Sequence, residues 1–281
     1  MVIVDVQVGE IRPLVERISQ DLVTVAADTS GDGMRVLVHH YDSLQKIRIA
    51  AHNAAVAYRK DGKPAGYAEW LAKELQRLEN GLVKVMKGWI SEYPVAEWAL
   101  QQRGVGPVSV ATLLAYLDVE RCRTAGSVWR YCGLDPTIEW KKGERRPFNA
   151  KLKRMCYLLG EMFRMHHKSP DCFYGQIYLA RKEYEQNKNE RGEYAEQARA
   201  KLERQANWTA NQRSYFERGM LTPAHIDLRA RRYAVKMFLA HFAWVYWETE
   251  KGEPWPLPYA VSHLGHVDVI APPDYTPLAR V

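Results

Sequence analysis

The sequence predicts a mainly α fold: a helical domain containing a helix-hairpin-helix element, with a small β element at the N-terminus. Three observations carry this expectation. Beyond residue 42, apolar residues recur at three- and four-residue steps in one segment after another. Glycine and proline fall mostly between those segments. Only the stretch before residue 42 shows β-branched runs separated by a turn sequence. The 281 residues are 47% hydrophobic, which suits one large core or two smaller ones and argues against a disordered chain.

The elements follow in order. VIVDVQV, LVTVAAD and MRVLVHH read as strands, and TSGDG between the last two reads as a hairpin turn, giving a β-rich cap over residues 1–42. A helical connector is expected over 43–93. Its first helix places Leu44, Ile47, Ala51, Ala54, Ala55 and Tyr58 on one face and breaks at DGKPAG. Its second carries Leu71, Leu75, Leu78, Leu82, Val85 and Trp89 at alternating four- and three-residue steps. That spacing keeps a seam facing another helix, either inside the monomer or across a homodimer.

A third region, 94–252, opens on RGVGPVSVATLLAYLD. A helix over residues 95–103 meets a tight turn at Gly104 and Gly106, and Pro107 suits the first position of the next helix. The N–H groups around Pro107, Val108 and Ser109 would favour an anion such as a DNA phosphate, a contact that reads backbone and not bases. Thr124 caps a short helix through Val128, Trp129 and Cys132, which Gly133 and Pro136 end. The segment TIEWKKGERRPFNAKLKR then gathers Lys141, Lys142, Arg145, Arg146, Lys151, Lys153 and Arg154 beside Trp140 and Phe148. Such a loop could neutralise phosphates and stack bases, or simply be a solvated charged loop.

After Asn149, the residues Leu152, Met155, Cys156, Leu159, Phe163 and His166 form one apolar helical face. Charged helices are expected over 174–190 and 194–205, and a long final helix starts at Thr222 and Pro223 with Leu228, Val235, Phe238, Leu239, Phe242 and Val245 inward. His225, Asp227, Arg229, Arg231 and Arg232 crowd its first turns, as a phosphate site or as a buried ionic network. Residues 253–281, rich in proline and aromatics, suit an extended tail laid over the domain.

The formal charge of +7 favours polyanionic partners. Four unevenly spaced cysteines without an apolar signal segment point to a reducing, cytoplasmic setting, and no apolar run reaches membrane-spanning length. His263 and His266, or His166 and His167 near Cys172, do not make a four-ligand metal set.

The run GVGPVSVATLLAYLDVERCRTAGSVWRYCGLDP (104–136) resembles the C-terminal domain of the insertion-sequence transposases of the family numbered 110. Those are bridge-RNA-guided recombinases with a RuvC-like domain and a separate serine-nucleophile domain. LQKIRIAAHNAAVAYRKDG upstream and FNAKLKRMCYLLGEMF downstream extend the likeness to about half the chain. It carries over Gly104, Gly106 and Pro107 of the hairpin, and Gly133, Leu134 and Pro136 of the following turn. The resemblance implies DNA binding in the context of recombination of mobile-element or phage DNA. Two features differ from the family: the region before Leu44 is short for a RuvC-like domain, and the loop that bears the serine reads TIEWKKGERRP, with Thr137 its only hydroxyl.

The chain therefore reads as a DNA-binding protein with Thr137 as the nearest counterpart of a nucleophile. No cofactor is expected, magnesium entering only for a nuclease or recombinase. The alternatives are a base-modifying, glycosylase-like enzyme with Asp118 or Asp135 as its acid, and an RNA-binding or structural protein using the basic loop.

Overall fold

The structure is a computed structural model and describes residues 22, 24–26, 29–204, 207–256 and 269–279. Among them ten helices occur and no strand: α1 (Gly31–Lys60), α2 (Gly66–Ile90), α3 (Pro94–Gln101), α4 (Pro107–Tyr116), α5 (Ala125–Tyr131), α6 (Ala150–Met165), α7 (Phe173–Glu190), α8 (Ala195–Glu203), α9 (Ala210–Glu217) and α10 (Pro223–Lys251). The fold is mainly α. No described helix is long and apolar enough to cross a membrane.

The expected β cap is corrected where it is described. MRVLVHH lies in the first turns of α1, and Leu22, Thr24 and Val25 of the second expected strand are helical. VIVDVQV lies outside the described residues. The reason is periodicity: Met34, Leu37 and Val38 are buried at helical spacing, while Val36 is 55% exposed, so burial follows a helix face despite the β-branched composition. TSGDG is correspondingly a helix start. Ser30 accepts the Gly33 N–H on its Oγ, and Asp32 complements the helix dipole in the first turn.

The chain forms two compact units, residues 1–96 with 106–116, and 97–105 with 117–281. The expected boundary near Pro94 is thus crossed more than once, and α4 belongs with the first unit. In that unit α1 and α2 form a hairpin on which α4 packs. Leu75, Leu82 and Val85 of the α2 seam are buried, and Leu71, Leu78 and Trp89 are half-buried. The seam thus finds its partner within the chain. Arg48 joins the two helices by donating to the buried Glu79 carboxylate at 2.7 Å, and Arg35 reaches the Ala115 carbonyl near the end of α4.

In the second unit α10 is the central element, contacted by α5, α6 and α7. Phe238 of α10 packs edge-on against Phe163 of α6 and Tyr174 of α7, at ring-centroid distances of 5.7 and 5.2 Å. Each fully buried aromatic side chain contributes about 1.5–3 kcal/mol. Exposed ion pairs such as Arg103–Asp171 are screened by solvent and add little, so apolar burial holds this unit together. Helix α9 was not anticipated from the sequence; its capping box pairs Thr209 with Gln212, and Phe216 packs with Tyr194, Leu221 and Ile226. The described tail, 253–256 and 269–279, is irregular. It is held by Glu248, a buried carboxylate that accepts from Trp244 Nε1, the Trp255 and Leu278 backbone N–H groups and Tyr275 Oη.

Candidate nucleic-acid interface

The two sequence motifs expected to meet a polyanion differ in what they expose. At the first, α3 ends and the turn closes by Val105 N–H donating to Gln102. Gly104 has φ +94°, and a β-carbon there would stand 3.3 Å from Met162 Cβ, so this glycine is required by the fold. Gly106 has no left-handed φ, and a β-carbon there would meet nothing within 4 Å, so its lack of a side chain is not demanded by packing. Pro107, Val108 and Ser109 are half-buried, and the Ser109 N–H already donates to the Gly106 carbonyl. Arg103, the neighbouring cation, is paired with Asp171 at 2.6 Å. The hairpin therefore offers little unspent positive charge.

The second motif lies between α5 and α6. Thr124 and Ser127 form the capping box of α5, and its far end is a Schellman closure in which Leu134 N–H donates to Trp129 and Gly133 N–H to Arg130. Gly133 has φ +69°, and the Phe148 ring would be 2.9 Å from an added Cβ. Phe148 thus folds the far end of the loop back on its start, and Asn149 N–H donates to Tyr131 to close it. Asn149 then caps α6 by accepting from Lys151 and Leu152 N–H groups.

Between these anchors the loop is ordered by its own groups. Trp140 Nε1 donates to the Glu144 carbonyl at 2.9 Å, the Glu144 carboxylate accepts the Lys141 backbone N–H, and Arg146 lies over the Trp140 ring at 5.4 Å. Lys141, Lys142, Arg145 and Arg146 are all exposed, and none has a carboxylate partner among the described residues. Lys153 is exposed too, with its ammonium 4.2 Å from the centre of the Phe148 ring. Lys151 and Arg154 are engaged by other groups. A cleft of about 410 Å³ on this loop is bounded by Tyr131, Arg145, Arg146, Pro147, Phe148 and Asn149.

Next to the loop's first residues is a cavity of about 440 Å³, walled by the 133–138 turn, α6 and α10. Asp135 is on its rim. Thr137 donates both its hydroxyl, at 2.7 Å, and its N–H to Asp135 Oδ1, and these bonds hold the carboxyl below its usual range. Asp118, the other acid considered, accepts the Arg121 N–H and pairs with the Arg121 side chain, away from this cavity.

The expected polar cluster at the start of α10 divides into parts. His225 caps the helix start with Thr222, and burial followed by Lys201 and Arg229 lowers its pKa. Arg229 donates to the buried Glu185 at 2.7 Å. Arg231 is held between Glu161 and Asp227. These are ionic networks within the fold. Arg232 has no ion-pair or hydrogen-bond partner among the described residues; it is exposed, and the desolvation of its charge, then Arg229, lowers its pKa. Leu228, expected inward, is 44% exposed and lines the cavity. Tyr157, 57% exposed on the same cavity, was not flagged by the sequence. Its signal was present: it is an aromatic residue off the Leu152, Met155, Cys156 and Leu159 stripe of α6.

His166, His167 and Cys172 lie near one another, but no described group of three or more His, Cys, Asp or Glu side chains could hold a metal ion; His263 and His266 lie outside the described residues. All four cysteines are buried thiols. No family model matches the chain, and no curated protein or solved structure matches it.

Proposed function

We propose that this protein binds DNA through its phosphate backbone, using the 137–149 loop as the principal contact. One observation carries the reading: Lys141, Lys142, Arg145 and Arg146 project from an internally ordered loop, exposed and without carboxylate partners among the described residues, alongside Trp140 and Phe148. Cations already matched by carboxylates release few counterions on binding DNA, whereas unmatched ones release about one each. The aromatic rings add stacking surface for unpaired bases. The likeness of residues 104–136 to the insertion-sequence transposases of family 110 supports the same polymer as target, with the loop rather than the hairpin as the contact.

The Thr137–Asp135 pair does not extend this proposal to a covalent step. A carboxyl held below its ordinary range is a weak general base, so the hydrogen bond positions the hydroxyl without activating it.

The test replaces Lys141, Lys142, Arg145 and Arg146 with alanine and measures affinity for duplex DNA, single-stranded DNA and RNA against salt concentration. The slope of log K against log salt should flatten by about 3–4 for duplex DNA, uniformly across sequences. An unchanged slope removes the loop from the interface. A loss confined to RNA would replace DNA by RNA as the partner.

A further inference from the structure

The cavity beside the loop has a lining unlike that of a purely electrostatic surface. Its apolar lining comes from Leu134 and Ile138 of the turn and from Leu228 and Val235 of α10, and Tyr157, 57% exposed, is also part of it. The charged lining residues are Lys153, Arg231 and Arg232, against a single carboxylate, Asp135, that already accepts two bonds from Thr137. The acids holding Arg231 are themselves shared: Glu161 with Arg164 at 2.9 Å, and Asp227 with Lys182 at 3.6 Å and the Tyr178 hydroxyl. That network fixes the Arg231 guanidinium yet leaves its Nε–H buried with no acceptor among the described residues. An unmet buried donor is costly unless a ligand or water supplies the oxygen.

Arg232, unlike Arg231, carries an unmatched charge. Along α10, Arg229, Arg232 and Lys236 follow at helical spacing, and among the described residues both Arg232 and Lys236 lack a carboxylate within ion-pair distance. Burial and then Arg232 lower the Lys236 pKa, as burial and then Arg229 lower that of Arg232. A bound anion would relieve this crowding.

We infer that this cavity is a binding site for a nucleoside monophosphate unit, with the phosphate on Arg232 and Lys153 and the base against Tyr157 and Leu228. The volume falls within the range for small-molecule sites, and the combination of apolar lining, exposed ring and clustered cations matches a ligand with a flat apolar end and a dianionic end. The unit has two sources, a free nucleotide or the 5′-phosphorylated end of a strand. The site does not depend on the 137–149 cations, so it stands apart from the backbone-binding proposal.

The experiment titrates the full chain with 5′-AMP, adenosine and inorganic phosphate by calorimetry, and with single strands bearing 5′-phosphate or 5′-hydroxyl. AMP should bind at least about tenfold more tightly than adenosine or inorganic phosphate, because only AMP engages both ends. Arg232→Gln and Tyr157→Ala, at exposed side chains outside the ion-pair networks, should each weaken AMP by about tenfold with unchanged thermal unfolding. A 5′-phosphate preference that persists when the four loop cations are alanine assigns the site to strand ends; AMP binding without that preference assigns it to free nucleotide. Folded protein that binds neither AMP nor 5′-phosphorylated strands preferentially overturns the inference. So does AMP binding unaffected by Arg232→Gln, or inorganic phosphate binding as tightly as AMP.

Discussion

A β-carbon at Gly133 would meet the Phe148 ring at 2.9 Å, in a backbone conformation with φ +69°. Gly133→Ala should therefore lower stability by about 1–2 kcal/mol or more and loosen the loop that Phe148 closes, seen as faster hydrogen exchange over 133–149. Gly106→Ala, in a turn that looks equally demanding in the sequence, should leave stability within about 0.5 kcal/mol. Chemical denaturation of the two variants compares them directly. His241 presents a different residue-scale constraint. It is buried between the Tyr174 hydroxyl on Nδ1 and the Ile270 carbonyl on Nε2, as a neutral imidazole that accepts from one and donates to the other. Burial lowers its pKa from 6.5 to about 4, with the Ile270 bond opposing the shift. Below pH 6.5 the unfolded chain takes up a proton that the folded chain refuses until about pH 4. Stability from this group is thus full above pH 6.5 and falls as pH drops through that window, by up to about 3 kcal/mol. Urea midpoints at pH 7 and 5 should show the fall, and His241→Gln should remove most of it; an identical pH dependence in the variant would reassign the effect to other groups.

At the scale of elements, the α2 seam shows what a heptad-like spacing does and does not specify. Leu75, Leu82 and Val85 are buried in the first unit, where α2 packs with α1 and α4. Leu75→Asn combined with Leu82→Asn should accordingly abolish helical folding of that unit, with a loss of several kcal/mol. Sedimentation and circular dichroism separate this from simple dissociation of a dimer: helix content falls with the molecular weight unchanged, whereas retained helicity with halved mass would place the seam between chains. The expected strand at 34–40 failed for a related reason. Val36 and Val38 are β-branched, but only every third or fourth residue of the segment reaches the core, and tertiary burial outweighs a preference of a few tenths of a kcal/mol per residue. The end of α5 was legible because GLDP carries its own chemistry: glycine for the left-handed position and proline against continuation.

At the scale of the whole molecule, the C-terminal segment depends on one buried acid. Glu248 accepts four donors at 2.7–3.1 Å, two of them from Tyr275 and Leu278. Glu248→Gln keeps the shape but substitutes a donor for an acceptor. It should cost about 2–4 kcal/mol and expose 269–279 to proteolysis at protease concentrations that the parent resists. Equal resistance would show that Trp255 burial and the Trp98 Nε1 bond to Pro273 suffice to hold the segment.

The helical class, most helix positions and the concentration of cations between α5 and α6 are legible along the chain, because periodicity, caps and breakers act over a few residues. The sequence could not separate the cations that are spent from those that are free. Arg229, Arg231 and Arg232 are near-identical in composition and neighbourhood along the chain, yet Glu185, Glu161 and Asp227 take the first two and leave the third. Those partners come from α7, α6 and α10, up to 70 residues away, so their pairing depends on how the helices pack. The same holds for Leu228 and Tyr157, which turn from a core position and an unremarked one into the walls of a cavity once α6 and α10 lie side by side. Local chemistry is written within one helical turn; net charge at a surface is decided by which carboxylates the fold brings within a few ångströms.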